Sequence, residues 1–68
     1  MATDGKHVYV ADVNNHCIQV FTKDGNFVRT WGSNGRAQGQ FCYPMGVATD
    51  GKHVCVVDYR NNRIQVFR

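Results

Sequence analysis

Three histidines, three cysteines and five carboxylates are the side chains of this chain that could carry acid–base, nucleophilic or metal chemistry. Their spacing argues against all of these. His7 and His53 occupy equivalent turn positions with no carboxylate at ligand spacing, so no metal site is expected. No Ser/His/Asp or Cys/His arrangement pairs a nucleophile with a base. No catalytic residue, no enzyme activity and no cofactor are therefore expected. What remains is recognition chemistry. Arg36, Tyr43, Tyr59, Arg60, Asn62, Asn14 and His16, with Gln38 and Gln40, combine guanidinium planes, aromatic rings and side-chain amides. That set suits an acidic peptide or unpaired RNA bases. The competing reading is that loop tips vary because nothing constrains them.

The elements that must position these residues follow from an internal repeat. Ala2 to Phe21, "ATDGKHVYVADVNNHCIQVF", aligns with Ala48 to Phe67, "ATDGKHVCVVDYRNNRIQVF", so the period is 46 residues, with fourteen of twenty positions identical. Four of the six differences fall between Val13 and Cys17 or their counterparts. A period near 40–50 residues signals propeller blades or solenoid units. Within it, "GVATD", "HVYVAD", "CIQVF" and "NFVRTWG" are short β-branched or aromatic runs. The pairs Asp50-Gly51 and Asp24-Gly25 mark tight turns between them. No window has the apolar period of a helix. The unit is thus four antiparallel strands, the signature of a propeller blade.

These runs predict an all-β chain of about one and a half four-stranded blades, an incomplete ring. Residues 2–32 form the first blade, 33–45 an inter-blade loop and 46–68 a second blade lacking its outer strand. Strands in a blade alternate in direction. The second-to-third-strand loops, Asp12 to Cys17 and Asp58 to Arg63, therefore share one face with the inter-blade loop. The opposite face carries "TDGKH" twice, identically, so the first face is the candidate binding face.

Composition bounds the rest. A chain of 68 residues buries only about 60% of its unfolded surface, so its core is thin. The charge of +3 permits an acidic partner without demanding one. Three cysteines with no C-x-x-C and no signal peptide fit a reducing, cytoplasmic setting. No apolar run approaches a membrane span. Cys42 and Cys55 read as small buried hydrophobes. Phe41 and Pro44 read as anchors of the inter-blade loop, and Trp31 and Phe27 as packing between blades. Asp12, Asp58, Asn15 and Asn61 read as loop-stabilising side chains. Arg63 either pairs with Asp58 or points at a ligand.

"GQFCYPMGVATDGKHVCVVDYRNNRIQVF", Gly39 to Phe67, resembles an NHL repeat, whose pattern reads G-x-F-x-x-P-x-G-V-A, then V-x-V-x-D, then N-x-R-I-Q-V-F. Gly39, Phe41, Pro44, Gly46, Val47, Asp58, Asn61, Arg63, Ile64, Gln65, Val66 and Phe67 match. The first copy departs where Cys17 replaces the arginine, a lost contact rather than a reactive thiol. The resemblance implies a β-propeller, typically six-bladed, of the kind found at the C-terminus of tripartite-motif proteins, whose RING and B-box modules are absent here. It implies a non-enzymatic module that binds protein (a peptide or neighbouring blades) or, alternatively, single-stranded or stem-loop RNA. One and a half units do not close a ring, since repeat units generally need at least three for stability. The chain is then a fragment, even a truncated product without independent function, or three copies assemble as a homotrimer that completes a propeller.

Overall fold

The computed structural model describes Met1–Arg68, with seven β-strands, two single 3-10 turns and no α-helix. Strands β1 (Ala2–Thr3), β2 (His7–Asp12), β3 (Cys17–Thr22) and β4 (Phe27–Trp31) form one antiparallel sheet in sequence order. Strands β5 (Pro44–Thr49), β6 (Val54–Asp58) and β7 (Arg63–Phe67) form a second. Strand β5 begins at Pro44, ahead of the "GVATD" run, because a bulge between Pro44 and Gly46 still lets Pro44 oppose Asp58. No helix of the structure is long and apolar enough to cross a membrane.

Two-residue alternation decides what each sheet presents. In β2, Tyr9 and Ala11 pair with Val20 and Ile18 of β3, and these four side chains share one face. That face meets Val47, Val54, Val56 and Phe67 of the second sheet. Phe41 from the inter-blade loop fills the space between, with its side chain fully buried like those of Ile18 and Val56. Its ring lies edge-on to Phe67 at 5.8 Å, and Trp31 meets Phe67 at 5.3 Å. Aromatic pairs in this geometry add roughly 0.5–1.5 kcal/mol each beyond area burial. The core is therefore the contact between two blades, and neither sheet has one of its own. Phe41 and Pro44 do anchor the loop, both buried.

Gly32 makes this packing fit. It has φ +105°, and a Cβ built there would stand 2.6 Å from the Phe41 ring, so the residue after β4 must lack a side chain for two reasons at once.

Three expectations need correction. Trp31 packs between the blades, but Phe27 does not: it is 58% exposed. The register shifts between Val20 and Phe21, so Val20 faces Arg29 while Phe21 faces Phe27. That slip turns Phe27 to the other face, where it meets Phe21 edge-on at 5.9 Å. Cys42 and Cys55 are half-buried, not buried. Cys55 shares its sheet face with Val57, Ile64 and Val66, which no part of the chain covers. His7 and His53 each have a carboxylate nearby, since Asp4 Oδ2 and Asp50 Oδ2 lie 3.9 and 3.5 Å from their Nδ1 atoms. Each aspartate also accepts two turn amides through Oδ1 at 2.8 Å. These are turn-closing pairs, and no group of three or more metal-ligating side chains exists in the structure.

Candidate interaction face

The face read from the sequence is built by a backbone motif that occurs twice. Asp12 and Asp58 each end a strand with φ −92° and lead into a 3-10 turn, Val13–Asn15 or Tyr59–Asn61. Each turn closes on a left-handed residue, His16 with φ 55° and ψ 43°, or Asn62 with φ 55° and ψ 45°. Asparagine and histidine are enriched among side-chain residues at such φ values. His16 and Asn62 thus have a backbone role that the loop-variation argument missed.

In the second blade this motif clamps the inter-blade loop. Asp58, fully buried, accepts the Cys42 amide through Oδ1 at 2.7 Å. Its Oδ2 accepts Asn61 Nδ2 and Arg63 Nε, each at 2.9 Å, and Gln65 Nε2 at 3.3 Å. The donors reach onward to the loop backbone. Arg63 donates through Nη1 to the Arg36 carbonyl at 2.8 Å, and through Nη2 to Ala37 and Gln40 at 3.0 Å. Asn61 donates to the Gly35 carbonyl at 2.9 Å and Gln65 to that of Gln40 at 2.7 Å. Burial disfavours the Asp58 charge, but the Cys42 amide, Asn61, Arg63 and Gln65 outweigh it and hold the carboxyl below its ordinary 3.8. Arg63 therefore pairs with Asp58, and its guanidinium braces the loop. The alternation of Arg63 and Gln65 along one strand was the signal for this clamp.

The first blade repeats the geometry with a weaker set. Asp12 Oδ2 accepts Gln19 Nε2 at 2.7 Å and Asn15 Nδ2 at 2.9 Å, and these bonds lower its carboxyl. Cys17 stands where Arg63 stands and reaches Asp12 only through Sγ at 3.9 Å, a thiol donor in place of a guanidinium fork.

Beside the clamp lie the side chains that the sequence offers for recognition. The Tyr43 amide donates to His16 Nδ1 at 3.0 Å, and the two rings meet edge-on at 4.8 Å. The Arg60 guanidinium lies over the Tyr43 ring, 5.3 Å from its centroid, and the Arg60 amide donates to the Cys42 carbonyl at 3.0 Å. Three segments distant in sequence thus converge on Tyr43. Arg36, Arg60 and Asn62 line one open depression, and Arg36, Tyr43 and Arg60 an adjoining one. Tyr59, 59% exposed, lies with Asn62 on a third depression beside Val57 and Ile64. Asn14 is exposed and makes no hydrogen bond within the protein that joins it to the others. Gln40 supports the loop, its Oε1 accepting the Ala37 amide at 3.2 Å and its Nε2 donating to Ser33. Gln38 lies with Arg63, Ile64 and Val66, outside the two depressions that Arg36 and Arg60 line.

Paired antiparallel sheets packed face to face, repeated at a fixed period and joined by a clamped loop, define a β-propeller segment. Comparison with known proteins agrees. The NHL repeat family matches residues 1–21 and 41–67, and the chain belongs to it. The chain is also similar to Protein brain tumor of Drosophila melanogaster, 46% identical over 41 residues. That match covers 60% of this chain and 4% of the relative. The clamp residues Asp58, Asn61, Arg63 and Gln65 and the plug Phe41 lie inside the second matched stretch, so the family signature coincides with inter-blade packing.

Proposed function

We propose that this NHL-repeat segment is a non-enzymatic protein-interaction module, and that its recognition face is the edge carrying the two 3-10 turns and the inter-blade loop. The observation that supports this most is the convergence of His16, Tyr43 and Arg60 from three segments. A ring and guanidinium already held in place lose little side-chain entropy when a partner docks. The chain spans about 4% of the relative it matches, so the partner is inferred from chemistry alone: an acidic peptide. Three free cysteines fit a cytoplasmic setting.

Fluorescence polarisation with acidic peptides and a random RNA pool tests the reading. Acidic peptides should bind, and the double variant Arg36→Gln/Arg60→Gln should abolish binding. RNA is the second reading, favoured by the exposed Tyr59 ring beside Asn62. Binding of the RNA pool alone, falling steeply with salt, would establish it instead. Binding of neither overturns both.

The uncovered face of Val57, Ile64 and Val66 supports self-association as well. These residues stand 46 positions after Ala11, Ile18 and Val20, which pack against the second sheet. A blade that covered them would come from the same polypeptide or from a second copy. Three copies in a ring would appear as a trimer by native mass spectrometry, and a monomer at micromolar concentration rejects the homotrimer.

A further inference from the structure

Arg36 and Arg60 are the two guanidiniums of the interaction face that nothing in the chain neutralises. Arg63 beside them is taken up by Asp58 and three carbonyls. The three ion pairs of the chain involve neither Arg36 nor Arg60. Both border two adjoining depressions, of about 350 and 310 Å³, and no carboxylate lines either. The walls add the side-chain amides of Asn34 and Asn62, which donate to no protein group.

We propose that this arginine pair seats a phosphate monoester dianion, the phosphoryl group of a phosphorylated serine or threonine on a partner protein. This rests on the reading that this face is the recognition face. Charge supports it first. Two uncompensated guanidinium forks match a doubly charged, three-oxygen acceptor, whereas a glutamate carboxylate offers half the charge and fewer lone pairs. Preorganisation supports it next, since the Arg60 guanidinium already rests on Tyr43 and its amide is fixed to Cys42. The distribution of cations argues against a nucleic-acid strand, which needs a track of charges and open stacking rings. Lys6, Lys23 and Lys52 all lie in or beside the turns of the opposite edge. The Tyr43 ring carries Arg60 over it and meets His16 edge-on, which leaves Tyr59 as the one open tyrosine on this face. A compact dianion fits such a site better than a strand does.

The test uses the 68-residue chain and one acidic peptide in three forms, with a central phosphoserine, glutamate or serine. Nuclear magnetic resonance follows the arginine Nε–H and backbone amide signals, with orthophosphate as competitor. The phosphopeptide should bind at least about tenfold more tightly than the glutamate form, the scale of one charge-assisted hydrogen bond. Shifts should centre on Arg36, Arg60, Gly35 and Asn62, and orthophosphate should reverse them. Affinity should weaken several-fold from pH 7.5 to 5.5, as the phosphoryl group takes its second proton near pH 6. Arg36→Gln should remove most of the preference for phosphate. Its side chain makes no hydrogen bond or ion pair within the chain, so the variant keeps the fold even if Arg60→Gln does not. Equal binding of the phosphoserine and glutamate forms overturns the phosphate seat and leaves the interaction face standing. No peptide shift on this face overturns both. A random RNA pool that outcompetes every peptide, with shifts spreading to Tyr59 and Asn14, assigns the face to nucleic acid.

Discussion

The clamp around Asp58 offers an internal control that few proteins provide, because the same sheet position recurs 46 residues earlier as Asp12. Replacing Asp58 with alanine removes the acceptor of four donors. Three of them keep another partner: Asn61 the Gly35 carbonyl, Gln65 the Gln40 carbonyl, and Arg63 three carbonyls. The Cys42 amide loses its acceptor, and an orphaned buried N–H costs about 1–3 kcal/mol. Arg63 loses its counter-ion, which in a fully buried pair costs about 3–5 kcal/mol. The Arg63 side chain is 30% exposed and keeps three carbonyl acceptors, so its share falls below that range, to about 2 kcal/mol, and with about 1 kcal/mol for the amide the sum is about 3 kcal/mol. A domain of 68 residues has about 3–10 kcal/mol in all, so the variant sits at the edge of folding. Urea unfolding followed by the fluorescence of Trp31, the single tryptophan at the blade interface, reads the difference. With a slope near 1 kcal/mol per molar urea, Asp58→Ala should lower the midpoint by about 3 M. Asp58→Asn, which keeps an acceptor oxygen, should lose less and keeps the comparison measurable if alanine unfolds the chain. Asp12→Ala should lower the midpoint clearly less, since its donors Asn15, Cys17 and Gln19 all belong to its own blade and none is an amide of the inter-blade loop. Equal shifts at the two positions would refute the idea that the second clamp holds the loop.

Acid should destabilise the chain with a defined sign. Backbone amides lower Asp4 and Asp50, side-chain amides lower Asp12, and the loop clamp lowers Asp58, against an ordinary value of 3.8. A depressed folded value means stability that is complete above the unfolded value. It is lost as pH falls through the folded one, so urea midpoints should be flat from about pH 7 to 5 and drop below about pH 4. A midpoint that rises on acidification contradicts this. Gly32→Ala and Gly25→Ala separate strain from packing. Both glycines have positive φ, +105° and +94°, but only at Gly32 would a Cβ meet the Phe41 ring. Gly32→Ala should therefore lower the thermal midpoint clearly more than Gly25→Ala, and Trp31 emission should shift to the red. Equal losses would mean that Phe41 is not packed as described.

Local features were legible in the sequence for a physical reason. Strands, turns and the repeat depend on neighbours within a few residues, so β-branched runs broken by Asp-Gly pairs reveal them. Phe27 shows where such reading fails. Four residues before Trp31, it would share the Trp31 face in a regular strand, but one shifted pair at Val20/Phe21 inverts it. Nothing in "NFVRTW" announces that shift, because it belongs to the pairing and not to the strand. His16 and Asn62 show another failure. They differ between repeats, which reads as freedom, yet both hold the same left-handed turn end.

The sequence by itself determined the blade: its strands, its turns and its period, and it offered Asp58 and Arg63, five residues apart across one short loop, as a candidate pair. Only the tertiary structure decided that the two pair, where the remaining donors of Arg63 go and which loop residues they leave facing outward. The loop carbonyls of Gly35, Arg36, Ala37 and Gln40 look alike in any sequence. They become a binding partner for Arg63, Asn61 and Gln65 only when the two sheets pack and Phe41 enters the space between them. The meeting of His16, Tyr43 and Arg60, and the isolation of Arg36 from any carboxylate, are consequences of that packing. A one-dimensional pattern does not contain them, because contacts between distant segments are fixed by how faces meet and not by spacing along the chain.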